Sequence, residues 1–248
     1  GLGDVYKRQY LYTVMYYDDH DRVIQRKSNN RLNGGVEKDY IAYNFIGQPT
    51  KHKHIHSAAG KATQSEVYSY SYDYADRLQT TTHCLNNGPV MTLVNNEYDE
   101  LGRLKHNRRN GQSNLHTNYA YNLRSWTESI SSPLFCETLY YNDTRSNPTN
   151  TRYYNGNISG MDWSVNGDKK RGYDFSYDNL SRLLYADYLE NNIRNHNFNT
   201  SYNYDKQGNI VSLMRSGNQN TTYGIIDNLT LNYRGNQLIK VEDTASDS

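Results

Sequence analysis

The sequence predicts an all-β protein made of tandem antiparallel β-hairpins. Three observations carry this expectation: a tyrosine-led phrase that recurs along the chain, an excess of tyrosine and asparagine, and alternation of residue character on every second position between the phrases. Tyrosine occurs 26 times against 4 Phe and 2 Trp, so most large apolar surface carries a hydroxyl that needs water or a partner. Leu, Ile, Val and Phe make up only about 18% of the chain, but the net charge of +1 is far from the high charge that disorder requires. Asparagine occurs 32 times, and its short amide suits turns and left-handed backbone.

The phrase reads Tyr, Asp or Asn, two variable residues, Gly or a stand-in, often Arg, then an apolar residue. Its clearest copy is Tyr98-Asp99-Glu100-Leu101-Gly102-Arg103-Leu104, and a second is Tyr204-Asp205-Lys206-Gln207-Gly208-Asn209-Ile210. Further copies begin at Tyr17-Asp18, Tyr43-Asn44 with Gly47, Tyr72-Asp73, Tyr121-Asn122 and Tyr177-Asp178. Shorter variants lie at Tyr154 with Gly156 and at Tyr233 with Gly235. From Tyr17 to Tyr233 the eight steps average 27 residues and range from 23 to 33, the length of one hairpin and its connection.

Each phrase reads physically as a turn between two strands. The Asx residue caps a type I turn with its side chain, and the fourth position favours Gly. Asp21, Asp76, Ser125 and Ser181 take that fourth place in other copies, at a steric cost wherever the backbone is left-handed. Gly156-Asn157 and Gly235-Asn236 resemble two-residue hairpin turns with Gly first. The tyrosine before the turn and the aliphatic after it are expected to pair across strands, at about 0.2–1 kcal/mol each.

Flanking segments alternate as strands do. Tyr68, Tyr70, Tyr72 and Tyr74 fall on every second residue, as do Tyr202 and Tyr204, and Leu229, Leu231 and Tyr233. Only short stretches such as Tyr185 to Asn192 could turn helically. The expectation is about eighteen short strands in nine hairpins. Residues 1–9 match no repeat and resemble translated adapter sequence, residues 10–241 form the array, and residues 242–248 read as a truncated tail.

The repeated Tyr-Asp-x-x-Gly-Arg-Leu phrase resembles the signature of the RHS or YD-repeat family, which includes bacterial polymorphic toxins, toxin-complex shell proteins and the teneurins. The resemblance runs from Tyr17 to Val241. The segments Tyr154 to Trp163 and Tyr233 to Lys240 resemble the bacterial large-array branch. It implies a strand-turn-strand ribbon that spirals into a hollow shell, in some members enclosing a C-terminal toxin. Eighteen strands at about 4.8 Å would close only one turn of a tube about 27 Å across, so the chain reads as a fragment of a longer array. Self-cleaving members use an Asp-Pro motif beyond the repeats. Pro49, Pro89, Pro133 and Pro148 follow Gln, Gly, Ser and Asn, so no catalytic residue is carried over.

A few residue patterns outside the repeats bear on chemistry. His52, His54 and His56 alternate, so on one strand their imidazoles share a face at a spacing that could hold a metal. With no carboxylate or Cys near them in sequence, a solvated polar face is the favoured reading, and neither metal nor cofactor is expected. Cys84 and Cys136 are too few for a disulfide framework and read as small hydrophobes. Asn157, Asn199 and Asn228 head Asn-x-Ser/Thr triplets, a chance product of asparagine richness. The near-neutral balance gives no basic stripe for nucleic acid, and no run of about 18 apolar residues could span a membrane as a helix.

The leading functional expectation is therefore a non-catalytic segment of a large secreted or cell-surface protein. It would help build a β-shell that encloses or displays a C-terminal toxin domain, with the rest of its own polypeptide as partner. The alternative is an extracellular adhesion module whose tyrosine-rich faces bind glycans or a cell surface.

Overall fold

The structure is a computed structural model that describes residues 10–145, 148 and 150–245. Residues 1–9, read above as a leader, and 246–248, within the tail, lie outside the described residues. The fold is all-β: nineteen strands, every pairing antiparallel, with a single 3-10 turn at Ser113–Leu115 and no α-helix among the described residues. The chain divides into two compact units, Gly1–His116 and Thr117–Ser248.

The first unit holds β1 (Thr13–Tyr17), β2 (Val23–Asn29), β3 (Val36–Tyr43), β4 (Pro49–Ser57), β5 (Gln64–Tyr72), β6 (Leu78–Leu85), β7 (Val90–Tyr98) and β8 (Leu104–Arg109), each paired with the next. The second holds β9 (His116–Tyr121), which begins at the boundary, then β10 (Thr127–Ser131), β11 (Phe135–Tyr140), β12 (Gly160–Val165), β13 (Arg171–Tyr177) and β14 (Leu183–Glu190). It continues with β15 (Ile193–Arg194), β16 (Thr200–Tyr204), β17 (Ile210–Gln219), β18 (Thr222–Arg234) and β19 (Gln237–Asp243). The short β15 pairs with the end of β14, which also pairs with β16. That two-residue strand is the difference from the eighteen expected. The stretch Tyr185 to Asn192, ambiguous in sequence, is the strand β14 and its turn.

Asparagine supplies much of the left-handed backbone between hairpins. Asn86 and Asn87 (φ 50° and 57°) turn β6 into β7, and Asn166 with Gly167 (φ 47° and 75°) turns β12 into β13. Two consecutive positive φ values are the requirement of the type I′ turn.

Two local expectations need correction. Tyr74 does not continue the tyrosine strand: β5 ends at Tyr72, and Tyr74 sits in the turn, 95% exposed. Nor is the phrase at Tyr154 a tight hairpin between two strands. β11 pairs with β12 through the long connection 141–159, which contains no strand among its described residues. Gly156 (φ 98°) turns within that connection, over the Trp126 ring.

The apolar core is small. Tyr141, Ala186, Tyr188 and Leu189 are the buried hydrophobic residues among those described, all in the second unit. Buried polar residues outnumber them: Asp39, Arg145, Asn150, Ser159, Asp162, Asp174 and Asn199. Such groups persist in a fold only if hydrogen-bonded or paired.

Candidate functional site

The repeated phrase is the most regular site in the molecule. In the copy at Tyr98, Asp99 Oδ1 accepts the amides of Leu101 and Arg103 at 3.0 and 2.8 Å, and Oδ2 accepts Arg103 Nε at 2.7 Å. The Gly102 amide donates to the Asp99 carbonyl at 2.9 Å, and the Asp99 amide to the Arg103 carbonyl at 2.8 Å. The same set recurs with Asp18 and Arg22, Asp73 and Arg77, and Asp178 and Arg182. Asp205 uses Asn209, Asn44 uses Gln48, and Asn122 caps the Trp126 amide.

The fourth position is left-handed whatever occupies it. Gly47, Gly102 and Gly208 have φ of 90°, 83° and 93°, while Asp21, Asp76, Ser125 and Ser181 hold 58°, 62°, 61° and 61°. Ladder register slips by one just before Tyr17, Tyr43, Tyr72, Tyr98, Tyr177, Tyr204 and Tyr233, a bulge at the same place in each hairpin. Beyond it the tyrosine faces the apolar residue across the turn, as in Tyr98↔Leu104, Tyr177↔Leu183 and Tyr204↔Ile210.

The tyrosine also reaches backwards. Tyr43 donates its hydroxyl to the Val23 carbonyl at 3.0 Å, Tyr72 to Pro49 at 2.7 Å, and Tyr98 to Leu78 at 2.9 Å. In the second unit, Tyr177 donates to Ile158 and Tyr204 to Leu183, both at 2.8 Å. Val23, Pro49, Leu78 and Leu183 each open the strand after the previous turn, and Ile158 lies two residues before β12. The arginine reaches forwards: Arg22, Arg77 and Arg182 stack over the rings of Tyr43, Tyr98 and Tyr204, at 4.9, 4.5 and 4.7 Å. Tyrosine, aspartate and arginine thus close one turn and couple it to both neighbours.

Sequence reasoning missed one member of this series. Tyr141 donates to the Thr127 carbonyl at 3.0 Å, the same backward bond. Tyr154, singled out in sequence, instead accepts Arg124 Nη1 at its carbonyl, while Tyr153 packs edge-on against Tyr177 at 5.2 Å. The Tyr141-Asn142 pair was the available signal, hidden by the long connection that follows it.

His52, His54 and His56 share one face of β4, but they are not simply solvated. Carboxylates distant in sequence meet them from β3. Asp39 Oδ1 lies 3.0 Å from His52 Nε2 and 2.9 Å from His54 Nδ1, and Glu37 Oε1 lies 2.7 Å from His56 Nδ1. His54 Nε2 sits 3.2 Å from Glu37 Oε2, close enough for an ion pair but out of line for a hydrogen bond. Burial pushes the Asp39 carboxyl up, yet bonds from His54, His52 and Arg26 outweigh it and hold the group below its ordinary value. Glu37 is likewise lowered, against burial, by Asn30 and His56. The ring nitrogens are turned to carboxylates on the neighbouring strand, and the described His, Cys, Asp and Glu residues form no group of three with metal-binding geometry.

A second cluster is buried in the second unit. Arg145, from the long connection, is 3% exposed; it pairs with Asp162 at 2.7 Å and with Asp174, and its amide is capped by Asn150 at 2.7 Å. Lys170 and Tyr140 also bond to Asp162, at 2.7 and 2.9 Å. Arg194 bridges Asp174 and Asp187. Gly160 and Gly172 leave the space: a Cβ on Gly160 would stand 3.2 Å from Arg145 Nη2, and one on Gly172 would collide with Asp162 Oδ1. Burial, followed by the bond to Asp162, pushes the Tyr140 hydroxyl up to about 12. Cys84 and Cys136 are both free thiols.

Aromatic rings form a run in the second unit, from Trp163 stacked on Tyr173 at 5.7 Å, through Tyr188 and Phe198, to Tyr223.

No family model and no curated protein matches the chain. Among solved structures it is similar to a TcdB2-TccC3-Cdc42 complex chain, at 10% identity and a TM-score of 0.32, covering 94% of this chain and 15% of that one. A TcdB2-TccC3 chain without its hypervariable C-terminal region gives 11% identity and 0.34, with coverage of 94% and 15%. A porin-like protein from Bacteroides uniformis ATCC 8492 gives 11% and 0.25, with coverage of 87% and 91%. The chain therefore spans about 15% of the toxin-complex chains it is similar to. Scores in this range carry no argument about function.

Proposed function

We propose that this chain is a structural, non-catalytic repeat segment of a large secreted or surface protein, contributing to a β-shell that encloses or displays a C-terminal toxin domain. The observation that carries the reading is the coupling of successive turns at Tyr43, Tyr98 and Tyr204, each bonded back through its hydroxyl and covered by the arginine of the turn before. The residue types that enzymes recruit for chemistry are engaged in turns and in hairpin-to-hairpin bonds, as Asp99, Arg103 and Tyr98 show. The repeat residues Tyr17, Tyr43, Tyr72, Tyr98, Tyr121, Tyr177 and Tyr204, with their Asx partners, and Tyr233 with Gly235, are accordingly assigned to architecture. Nearest-neighbour coupling of this kind is how a repeat protein gains stability by stacking.

The test is tyrosine-directed labelling with a bulky reagent on the full-length polypeptide, read residue by residue. A shell protects one alternate set, such as Tyr68 and Tyr70 with their even-numbered neighbours on β5, while the opposite set reacts. Uniform labelling of both sets together with measurable glycan binding would overturn the shell in favour of adhesion. The aromatic run ending at Tyr223, which is 50% exposed, is the observation that favours that second reading.

A further inference from the structure

The sequence contains five Asn-Gly pairs, beginning at Asn33, Asn87, Asn110, Asn155 and Asn166. Such a pair is chemically labile, because a glycine amide has no side chain to shield it from the asparagine Cγ beside it. The fold sorts the five into two groups. In three of them the glycine is the third residue of a four-residue turn, and the residue after it donates the closing bond. Gly35 donates to the Leu32 carbonyl at 2.9 Å, Gln112 to Arg109 at 3.2 Å and Asp168 to Val165 at 2.8 Å. The amides of Gly34, Gly111 and Gly167 themselves donate to no described backbone carbonyl. These three asparagines and their glycines are all exposed.

The other two pairs are held. Gly88 is the fourth residue of its turn, and its own amide donates the closing bond to the Leu85 carbonyl at 2.8 Å. Asn155 has both ends of its side-chain amide engaged: Nδ2 donates to Ser181 Oγ at 3.1 Å, and Oδ1 accepts the Asn157 amide at 3.2 Å. The Trp126 ring also packs on Gly156, where a Cβ would stand 3.2 Å from it, whereas a Cβ on Gly167 would meet nothing within 4 Å.

We propose that Asn33, Asn110 and Asn166 are self-modifying sites, converting to aspartate and isoaspartate in the folded chain, and that Asn87 and Asn155 resist. At Asn166 the Gly167 nitrogen, having lost its proton to base, attacks Asn166 Cγ. The N–Cγ bond forms, the Cγ–Nδ2 bond breaks, and Nδ2 takes up a proton and leaves as ammonia, with nothing oxidised or reduced. Water then opens the cyclic imide. Addition at Cγ restores the ordinary peptide bond beside an aspartate. Addition at the backbone carbonyl leaves isoaspartate, whose main chain runs through Cγ and is one methylene longer. Each conversion adds a negative charge to a chain whose formal net charge is +1. At 110 and 166, isoaspartate also disrupts the consecutive left-handed residues of the turn, φ 52° with 61° and φ 47° with 75°. The fold thus directs an uncatalysed hydrolysis to chosen turns in both units.

The test incubates the whole chain in mildly alkaline heavy-oxygen water, once folded and once in guanidinium chloride, and then digests it in ordinary water for peptide mapping by mass spectrometry. Heavy oxygen in a new carboxyl marks each converted site, and the two isomeric peptides separate by chromatography. In the folded chain, label should enter at 33, 110 and 166, with Asn87 slower by about fivefold, the factor that one neutral hydrogen bond supplies. Asn155 should lag likewise. Raising the pH should speed the three reactive sites, because the glycine amide must lose its proton. In guanidinium chloride all five pairs should label at similar rates, which shows that the fold and not the neighbouring sequence makes the difference. Labelling at 33, 110 or 166 no faster than at 87 and 155 in the folded chain would overturn the proposal, and so would the same ranking of sites in guanidinium chloride.

Discussion

At the scale of single residues, the fourth position of the phrase is where backbone geometry and side-chain choice collide. Gly102 sits at φ 83°, and a Cβ there would stand 3.2 Å from Arg77 Nη1, the arginine of the preceding hairpin. Gly102→Val should therefore destabilise its hairpin by about 1 kcal/mol or more, seen as a lower urea midpoint, whereas Leu101→Val, at a 72% exposed site, should change little. Equal midpoints for Gly102→Val and the parent would remove the strain argument. The phrase aspartates make a second prediction. The Arg77 side-chain bond to Asp73, and the Arg182 amide bond to Asp178, hold these carboxyls below the ordinary value of 3.8. A depressed folded-state pKa contributes stability that is present above the unfolded value and lost as pH falls through the folded one. The array should thus keep its strand signal in far-ultraviolet circular dichroism down to about pH 4 and lose it below. A loss complete by pH 5 would place the responsible groups elsewhere.

At the scale of elements, the hairpins were legible in the sequence because each phrase states its own turn. Asp99 and Gly102 determine a left-handed bulge within five residues of chain, so the information is local. What stayed hidden needs partners far apart: Glu37 and Asp39 reach the β4 histidines only because β3 and β4 pair, and Arg145 reaches Asp162 and Asp174 from a connection that no periodicity marks. The visible trace of that second cluster is a pair of strand glycines, since Gly in a strand interior marks a close approach. Gly172 tests it. A Cβ there would meet Asp162 Oδ1 and lie 2.7 Å from the Met161 carbonyl, which is backbone and cannot turn aside. Gly172→Ala should cost about 1–3 kcal/mol by overpacking, with proteolytic sensitivity rising in the connection 141–159 as Arg145 is displaced. A fully stable, protease-resistant Gly172→Ala protein would show that the cluster does not hold the connection down.

At the scale of the whole molecule, the same repeat grammar supports two units with unequal reserves. Tyrosine bonds, turn caps and stacked arginines occur in both, but the described buried hydrophobic side chains, Tyr141, Ala186, Tyr188 and Leu189, all belong to the second. Fully burying a side chain the size of Leu189 contributes about 1.5–3 kcal/mol, whereas a neutral hydrogen bond nets only about 1 kcal/mol. Repeats coupled chiefly to their neighbours open in segments when local stabilities differ, so unfolding need not be one concerted event. Hydrogen exchange followed by mass spectrometry in rising urea should show β3 to β6 exchanging at lower denaturant than β12 to β14. Leu189→Ala should remove about 2–5 kcal/mol from the second group and leave the first unchanged. If both groups exchanged together, and Leu189→Ala lowered protection equally in each, the units would form one cooperative body, and the buried residues of β14 would be stabilising strands far outside their own unit.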